Sequence, residues 1–455
     1  MDHKTWIRDH FDEEVAALQG LLRIKSVEAL GEDGTRFGRG AQDCLDYVLR
    51  LGADMGFRPT NLDGYCGWLD YGEGEELVVV LGHLDVVPEG TGWTHPPYGA
   101  EIADGRLYAR GAIDDKGPMM AALYALKSLV DSGEGLRRRV RILFGLNEET
   151  GCACMEHYVA SGQELPALGF TPDGDFPIIH CEKGIFSAHY ALDLPADGAV
   201  RSFAGGTALN MVPATAHAEL DGALYESAAA LASAVPYITV ARLGADVCVA
   251  AQGRSVHGST PEKGENAISR LAGFLAQLPL PEAEQTVMAA IARLYPAETD
   301  GKSLGVGLCD EVSGKMTVNL GTAAMDGRTL TLGANLRVPV TFDESGFHPT
   351  MTAAMAEAGF REMDSGFTPP LYVPAETPLI RALQEVYADE TGDEPTLLAI
   401  GGGTYAKTMP NIVAFGPIFP GEPAVEHEPD EYITLESLRR CTEIYAAAIK
   451  KLANA

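Results

Sequence analysis

A short apolar run without alternation constrains this fold more than any other feature of the sequence. Residues 77–81 read Leu-Val-Val-Val-Leu, which indicates a strand that is covered on both faces. A helical pattern at residues 11–22 precedes this strand, another helix is predicted at 118–129, and a second strand at 140–144. Strands that alternate with helices predict an α/β fold with a mostly parallel central sheet and helices on both faces.

The middle of the chain has a different pattern, in which β-like segments are mixed with helices as in an α+β domain. These segments lie at residues 216–220, 247–250, 267–278, 317–320 and 330–338. The first pattern returns after Pro378, with helices at 378–389 and 435–452 and strands at 397–400 and 412–415. If His427 shares a site with His83, the middle part must be an insertion. We therefore predict one domain from residues 1–182 and 378–455, with residues 183–377 inserted into it.

Charge and composition narrow the classes of partner. The 455 residues include 64 acidic and 34 basic side chains, a formal net charge of −30, so that nucleic acid and an anionic membrane would repel the chain. The first residues lack the pattern of a secretion signal, and no apolar run approaches the ~20 residues needed to cross a bilayer. Eight scattered cysteines do not form a disulfide framework and are expected to be buried thiols. We expect a cytoplasmic protein.

Histidine and carboxylate side chains follow both strands of the first part. His83 and Asp85 come after the first strand, and Glu148 and Glu149 after the second, at the edge where open α/β sheets place their sites. One ring nitrogen of His83 could bind a metal while Asp85 orients the ring. Of the two glutamates, one could bind a metal and the other could accept a proton from water. Taken alone, each pair is more often explained by ordinary surface side chains.

Three further segments supply candidates of the same kind. Asp114 and Asp115 precede a helix, where a carboxylate could bridge two cations or simply cap the helix. Asp173 and Asp175 lie in a turn-rich segment, where Asx turns are the ordinary explanation and either residue could be a ligand. His427 follows near the end of the chain. A two-metal hydrolase needs a shared carboxylate, outer ligands and a base, and the chain has a candidate for each.

In their order along the chain, these motifs resemble the co-catalytic metallopeptidase family that includes aminoacylases, carnosinases and succinyl-diaminopimelate desuccinylases. The motifs are GHLDVVP at residues 82–88, GAIDDKG at 111–117, the glutamate pair 148–149 and the late His427. Further segments narrow the resemblance to bacterial dipeptidases of the PepV type. They are FTPD at 170–173, GTALNMVP at 206–213, SVHGSTPE at 255–262 and GGGTY at 401–405.

The resemblance implies a zinc-peptidase-like catalytic domain, an inserted lid domain, and two divalent metal ions bridged by Asp114. Zinc is expected, with manganese and cobalt as alternatives. Glu148 would be the base, and the peptide bond between Asp114 and Asp115 is expected to be cis. Asp173 is favoured over Asp175 as a ligand. The implied metal ligands are His83, Asp114, Glu149, Asp173 and His427.

For the inserted domain, the resemblance implies contacts with the substrate. His257 would stabilise the oxyanion that develops as water attacks. Arg337 and Asn210 would bind the terminal carboxylate of the substrate, for which a guanidinium is well suited. Backbone amides around Gly402 could approach the substrate, although a flexible turn is equally consistent. Because the insertion is larger than the dimerising domain of shorter relatives, the resemblance also implies a monomer.

The function implied is hydrolysis of dipeptides with a free C-terminal carboxylate, by a metal-bridged water whose proton Glu148 passes to the leaving amine. One alternative is an amidohydrolase of N-acyl amino acids, which would use the same metals and the same carboxylate anchor. Another is a non-catalytic relative that binds metal or peptide. The presence of Glu148, Glu149 and His257 counts against a binder, because binding alone needs no proton acceptor.

Overall fold

The structure is a computed structural model, and it describes residues 1–29 and 34–455. It divides into two compact units. The first comprises Met1–Cys181, Tyr372–Leu398 and Gly403–Ala455, and the second comprises Glu182–Leu371 and Ala399–Gly402. These limits differ from the predicted insertion at 183–377, because residues 372–377 lie in the first unit. Residues 399–402 return to the second unit, where the amide of Lys183 donates to the carbonyl of Ile400 over 3.0 Å.

The described residues form ten α-helices and 22 strands. The first part of the chain contains α1 His3–Leu22, α2 Arg39–Asp54, β1 Arg58–Leu62, β2 Cys66–Tyr71, β3 Leu77–His83, β4 Glu101–Ala103, β5 Arg106–Tyr108, α3 Lys116–Asp131, β6 Arg139–Gly145, α4 Ala153–Ala160, β7 Leu168–Thr171 and β8 Ile178–Glu182. The middle contains β9 Gly184–Asp193, β10 Val200–Gly205, β11 Thr215–Asp221, α5 Tyr225–Ala232, β12 Ile238–Leu243, β13 Asp246–Gln252, α6 Ala267–Leu275, α7 Glu282–Leu294, β14 Cys309–Asp310, β15 Gly314–Lys315, β16 Thr317–Asp326, β17 Thr329–Val338, α8 His348–Glu357 and β18 Arg361–Thr368. The last part contains β19 Leu371–Tyr372, α9 Pro378–Thr391, β20 Leu397–Ile400, β21 Ile412–Ala414, β22 Tyr432–Thr434 and α10 Leu435–Asn454.

The central sheet of the first unit has β3 at its middle. The strand order is β1-β2-β6-β3-β7-β21-β8. Both neighbours of β3 run parallel to it, and every residue of β3 is buried, which explains the apolar run in the sequence. β21 also pairs parallel to β7, whereas β1, β2 and β8 join the sheet by antiparallel pairs. The α/β class is therefore confirmed, with the parallel strands in the centre and antiparallel strands outside them.

Helix α3 packs on this sheet and contributes to the core of the first unit. It packs against β3 and β6, and it also contacts α1 and α10. Nearly all of its residues are buried, as expected of a helix that is apolar all round. α1 begins at His3, earlier than the predicted start, because the side chain of Asp2 accepts a hydrogen bond from the amide of Thr5 and caps the helix.

The second unit contains an eight-stranded sheet in the order β12-β13-β11-β10-β16-β17-β9-β18. All neighbouring pairs in it are antiparallel. Burial alternates along β11 and β13, which is the pattern of a sheet with one covered face. α6 packs against β11 and β13, and α8 packs against β18. The strands predicted in the middle of the chain are confirmed here, and the helix predicted at 267–278 ends at Leu275.

Two further expectations concern membrane-spanning helices and the cysteines. Over the described ranges, no helix has both the length and the apolar character that a bilayer crossing requires. The eight cysteines, all within the described ranges, are thiols that form no disulfide, and five of them are buried. Cys152 and Cys248 are partly exposed and Cys309 is exposed, so the prediction of buried thiols is wrong for these three.

Candidate metal centre and active site

Parallel strands bring most of the predicted ligands to one edge of the sheet. His83 is the last residue of β3, Glu148 and Glu149 follow the end of β6, and Asp173 follows the end of β7. Because β3, β6 and β7 are parallel neighbours, these side chains emerge at the same edge. Asp114 reaches this edge from the segment just before α3.

Asp114 lies between two imidazoles. Its Oδ1 is 2.9 Å from Nε2 of His83, and its Oδ2 is 3.0 Å from Nε2 of His427. Oε2 of Glu149 lies 3.2 Å from the same nitrogen of His427. One carboxylate therefore faces a histidine with each oxygen, which is the arrangement that a carboxylate shared by two cations requires.

The potential ligand atoms converge in two overlapping groups. Ligand atoms of His83, Asp114 and Glu149 lie within 4.8 Å of one another, and so do those of His83, Glu148 and Asp173. Imidazole nitrogen and carboxylate oxygen suit zinc and related divalent ions. Oδ2 of Asp173 is 3.9 Å from Nε2 of His83, whereas Asp175 is exposed and belongs to neither group. The donor set and its spacing fit divalent metal ions.

Asp85 contacts His83 through both its backbone and its carboxylate. Nδ1 of His83 lies 2.9 Å from the backbone carbonyl oxygen of Asp85 and 3.5 Å from its carboxylate. The carboxylate of Asp85 also accepts the backbone amides of Glu148 and Glu149, each over 3.1 Å. Its two oxygens thus hold the loop that carries both glutamates.

Asp115 supports His83 from the other side. Its Oδ2 accepts the backbone amide of His83 over 3.1 Å, and its side chain is fully buried. The peptide bond between Asp114 and Asp115 is cis, as the resemblance predicted. Of these adjacent aspartates, Asp114 faces the imidazoles and Asp115 faces the backbone of β3.

Sequence reasoning did not single out Glu431 and Arg110, both of which are buried beside the site. Glu431 accepts the guanidinium of Arg110 over 2.6 Å and the backbone amide of Asp114 over 3.3 Å. Arg110 also donates to the backbone carbonyl of His427 over 3.2 Å. The contact itself was not predictable, because the two residues are 321 positions apart. The one sequence signal is that each occurs in the same short segment as a predicted ligand.

Burial and opposite charges act against each other at the histidines. Burial by itself would lower the pKa of His83, but the carboxylates of Asp114 and Asp85 outweigh it and raise that pKa well above the ordinary value. The pKa of His427 is raised to about 11, because Asp114 and Glu149 outweigh the effect of burial. The carboxylates of this site therefore stabilise positive charge at both imidazoles. They would stabilise the positive charge of bound cations in the same way.

Glu148 has the opposite electrostatic character. Burial, followed by repulsion from the charge of Asp173, raises the pKa of Glu148 well above its ordinary value. Burial also opposes ionisation of Asp114, but hydrogen bonds from His427 and His83 outweigh it and lower the pKa of Asp114. The lowered pKa favours the ionised form of Asp114, which suits a metal ligand. The raised pKa of Glu148 gives its carboxylate a higher proton affinity, which suits a group that accepts a proton.

In the second unit, His257 and Asn210 lie on adjoining segments. The amide of Gly258 donates to the carbonyl of Asn210 over 2.6 Å, and Met211 forms an antiparallel bridge with His257. Both His257 and Asn210 are exposed. Nδ1 of His257 is 2.7 Å from the hydroxyl of Ser259.

Arg337 lies in the same unit beside the glycine-rich segment. Its guanidinium donates to the carbonyl of Gly401 over 2.7 Å and to the side chain of Asn335 over 3.1 Å. Gly402 is the next residue after this contact. Burial lowers the pKa of Arg337 to about 10. Within the described ranges, no carboxylate forms an ion pair with Arg337, so this cation is desolvated without a counter-charge.

Comparisons with known proteins identify a family model that matches this chain and relatives that are similar to it in sequence. The family model described as Peptidase family M20/M25/M40 matches residues 79–451. The protein named "Putative dipeptidase YtjP" from Bacillus subtilis (strain 168) is 40% identical over 448 residues, 96% of each chain. SSP1012 from Staphylococcus saprophyticus, which bears the same description, is 33% identical and covers 98% of each chain.

Solved structures give the same picture of the fold. Human carnosine dipeptidase 1 matches with a TM-score of 0.63 at 15% identity, covering 100% of this chain and 98% of that one. The di-peptidase Dug1p from Saccharomyces cerevisiae matches with a TM-score of 0.62 at 12% identity and covers 100% of both chains. At such identities the likeness shows a shared fold.

Proposed function

Because the chain belongs to peptidase family M20/M25/M40, we propose that it is a metal-dependent dipeptidase that acts on dipeptides with a free C-terminal carboxylate. The observation that carries this proposal is the position of Asp114, whose two oxygens face His83 and His427 within hydrogen-bonding distance. The dipeptidase descriptions of two relatives, at 40% and 33% identity over nearly the whole chain, support the substrate class.

We assign the binding of two divalent cations to five residues. Asp114 would be shared, His83 and Asp173 would complete one site, and Glu149 and His427 the other. The bound cations would lower the pKa of a water molecule and polarise the carbonyl of the substrate. We propose zinc in the cell, with manganese and cobalt as the alternatives that the same donor set admits.

Glu148 moves the proton. Its carboxylate accepts a proton from the attacking water and then donates it to the nitrogen of the leaving amine. The raised pKa of Glu148 suits this exchange, because a group that is too acidic would not return the proton. Asp85 supports Glu148 by accepting its backbone amide, so that the carboxylate of Glu148 stays beside the ligand cluster.

Four residues of the second unit would bind the substrate. Arg337 is a buried guanidinium without an ion-pair partner in the described chain, and a substrate carboxylate would supply the missing charge. Asn210 would assist it, and the imidazole of His257 would donate to the oxyanion that forms as water attacks. Backbone amides at Gly402 would contact the same substrate. We further propose that the enzyme acts as a cytoplasmic monomer.

Substitution of the proposed base tests this mechanism. Glu148→Ala is expected to retain about two metal ions per chain, because the cation ligands remain, yet to lower kcat by at least ~100-fold, the range for loss of a general base. Metal analysis of the purified variant and a coupled assay of amino-acid release measure the two quantities. Retained turnover would remove Glu148 from the proton transfer.

A substrate panel separates the dipeptidase from an amidohydrolase of N-acyl amino acids. The wild-type protein is stripped of metal, reloaded with zinc, manganese or cobalt, and assayed with matched dipeptides that have free or acetylated amino ends. We expect hydrolysis of the free dipeptides and little of the acetylated ones. The reverse order would support the amidohydrolase, and metal binding without hydrolysis of either set would indicate a binding protein.

A further inference from the structure

One fully buried carboxylate, that of Glu431, holds the segment that ends at Asp114. Its Oε2 accepts the guanidinium of Arg110 over 2.6 Å and the amide of Gly111 over 3.1 Å. Its Oε1 accepts the amides of Ile113 over 3.0 Å and of Asp114 over 3.3 Å. Four donors within five consecutive residues therefore converge on one side chain, which fixes the backbone from which Asp114 projects.

Arg110 extends this network to the second histidine. Its Nη2 donates to the backbone carbonyl of His427 over 3.2 Å, while its Nη1 remains on Glu431. The guanidinium also lies 5.3 Å from the centre of the Trp93 ring, and Arg110 is almost fully buried. His427 has a φ of 65°, a left-handed conformation that residues other than glycine rarely adopt. A fixed hydrogen bond to its carbonyl would therefore help to keep this backbone in place.

The two contacts share a geometric consequence. Asp114 and His427 are far apart in sequence, and their side chains lie 3.0 Å apart. Their backbones are joined through the pair Glu431 and Arg110, so a shift of either segment would be transmitted to the other. We propose that Glu431 and Arg110 are positioning residues that keep Asp114 and His427 at the separation a shared cation requires. This inference rests on the proposed function, because it assigns a role within that metal centre.

A purely structural ion pair is the competing explanation, and the chain contains a matched example. Glu284, in the second unit, is also fully buried and accepts the guanidinium of Arg328 over 2.6 Å. It also accepts the backbone amides of Ala199 and Val200, over 2.7 Å and 3.1 Å. Its partners include none of the proposed metal ligands. Glu284→Gln therefore reproduces the loss of a buried charged network without touching the metal centre.

The test compares Glu431→Gln, Arg110→Lys and Glu284→Gln in the full chain. Arg110→Lys keeps the positive charge beside Glu431 but loses the second nitrogen that reaches His427. The affinities for Zn²⁺ and Mn²⁺ are measured by competition with a chelator, together with the thermal unfolding midpoint and kcat and KM for a dipeptide. Glu431→Gln and Arg110→Lys are expected to weaken the binding of at least one ion by about 10- to 100-fold, with a fall in kcat and little change in KM.

Glu284→Gln is expected to lower the unfolding midpoint while leaving metal affinity and kcat unchanged. If Glu431→Gln does not fold, Arg110→Lys decides, since it retains the buried ion pair. Metal affinities within about twofold of the wild type in the folded variants would overturn the positioning role. A wild-type protein that binds metal but hydrolyses no dipeptide would reject the proposed function alone, because the affinity comparison still stands. A wild-type protein that binds neither ion would overturn both.

Discussion

At the residue scale, the site depends on how single carboxylates divide their two oxygens. Asp114 presents one oxygen to each histidine, whereas Asp85 gives one oxygen to each of two backbone amides. The first arrangement suits a ligand shared between cations, and the second fixes the loop that carries the proposed base. A residue can therefore shape this centre without being one of the proposed metal ligands.

Replacement of Asp85 tests its role in holding the loop. In Asp85→Asn, an amide nitrogen would replace one of the two acceptors and would face a backbone N–H donor, so the loop with Glu148 should shift. We expect kcat to fall by about 10- to 100-fold while the chain remains folded. Steady-state kinetics with a dipeptide and circular dichroism measure these effects.

Asp70→Asn is the control for Asp85→Asn. The carboxylate of Asp70 accepts two nitrogens of Arg141, each over 2.8 Å, and belongs to β2 rather than to the ligand cluster. Its substitution should reduce stability and leave kcat close to that of the wild type. Equal kinetic losses in the two variants would mean that Asp85 acts on stability alone.

Glu14 provides a pH-dependent test away from the metal centre. Burial in α1 raises its pKa to about 8, although Thr442 donates a hydrogen bond that opposes this shift. The folded state therefore binds more protons at Glu14 than the unfolded state does between about pH 4.5 and pH 8, so stability falls as the pH rises through this window. Glu14→Gln should remove that loss.

The stability difference between Glu14→Gln and the wild type is measured by urea unfolding at about pH 5 and about pH 8. Relative to the wild type, the free energy of unfolding of Glu14→Gln should be larger at the higher pH than at the lower pH, by on the order of a few kcal/mol. Glu13→Gln removes the charge of an exposed neighbour on the same helix and serves as the control. A constant difference across the pH range would show that Glu14 is not protonated in the folded protein.

Which residues lie near the site was predictable from the sequence, but their exact contacts were not. His83 and the pair Glu148 and Glu149 follow the two predicted apolar strands, so their position at one sheet edge was predicted. Asp173 was preferred over Asp175 only through the resemblance. The contacts of the Asp85 carboxylate with the amides of Glu148 and Glu149 were not predicted, because strand periodicity gives the direction of a side chain but not which backbone amides its oxygens reach. Glu431 was missed for a similar reason, since its partners come from a distant part of the chain.

At the element scale, the packing of β3 against α3 determines how closely the site can be assembled. A Cβ atom at Gly82 would overlap Oδ2 of Asp115 and the sulfur of Met119. Since Oδ2 of Asp115 accepts the amide of His83, crowding at Gly82 acts directly on a proposed ligand. The glycine before His83 is therefore required by the close approach of the helix to the strand.

Gly82→Ala tests this close approach. Overpacking should cost about 1–3 kcal/mol of stability and weaken metal binding, because Asp115 must move. Gly366→Ala is the control, as Gly366 also lies in a strand, β18, but a Cβ there has no neighbour within 4 Å. It should change stability by less than about 0.5 kcal/mol. Unfolding curves and chelator competition measure both effects, and equal behaviour of the two variants would contradict the packing argument.

Periodicity predicted several of the long elements, but it did not lead to a prediction of α2, α7 or β9, and pairing between distant segments was not predictable. β3, α3, β6 and α10 all appear where the apolar pattern placed them. The short strand β22 pairs with β5 across more than 300 residues, and neither has a pattern long enough to be recognised. Antiparallel pairing at the margins of the central sheet was likewise missed, because alternation and apolar runs report burial and carry little information about strand direction.

At the scale of the whole molecule, the second unit contains a sheet edge that has to remain unpaired in a monomer. β18 forms this edge, and it is largely exposed along its length. Arg361 on this strand forms an ion pair with Asp193 of β9, and the carboxylate of Asp364 lies 2.7 Å from Nδ1 of His189 of β9. The register also shifts between Glu362 and Asp364. Charged side chains and an irregular register are both features that hinder pairing between sheet edges.

The edge argument agrees with the monomer inferred from the size of the inserted segment, and the net charge of −30 adds repulsion between copies. We expect size-exclusion chromatography with light scattering to give the mass of one chain over about a tenfold range of concentration. Because salt screens the repulsion between copies, the measurement is repeated at about 1 M salt, where the Debye length falls to roughly 3 Å. A one-chain mass under both conditions would show that the edge of β18 itself resists pairing. A two-chain mass only at high salt would mean that charge repulsion alone keeps the protein monomeric. A two-chain mass that survives dilution at low salt would contradict the prediction of a monomer.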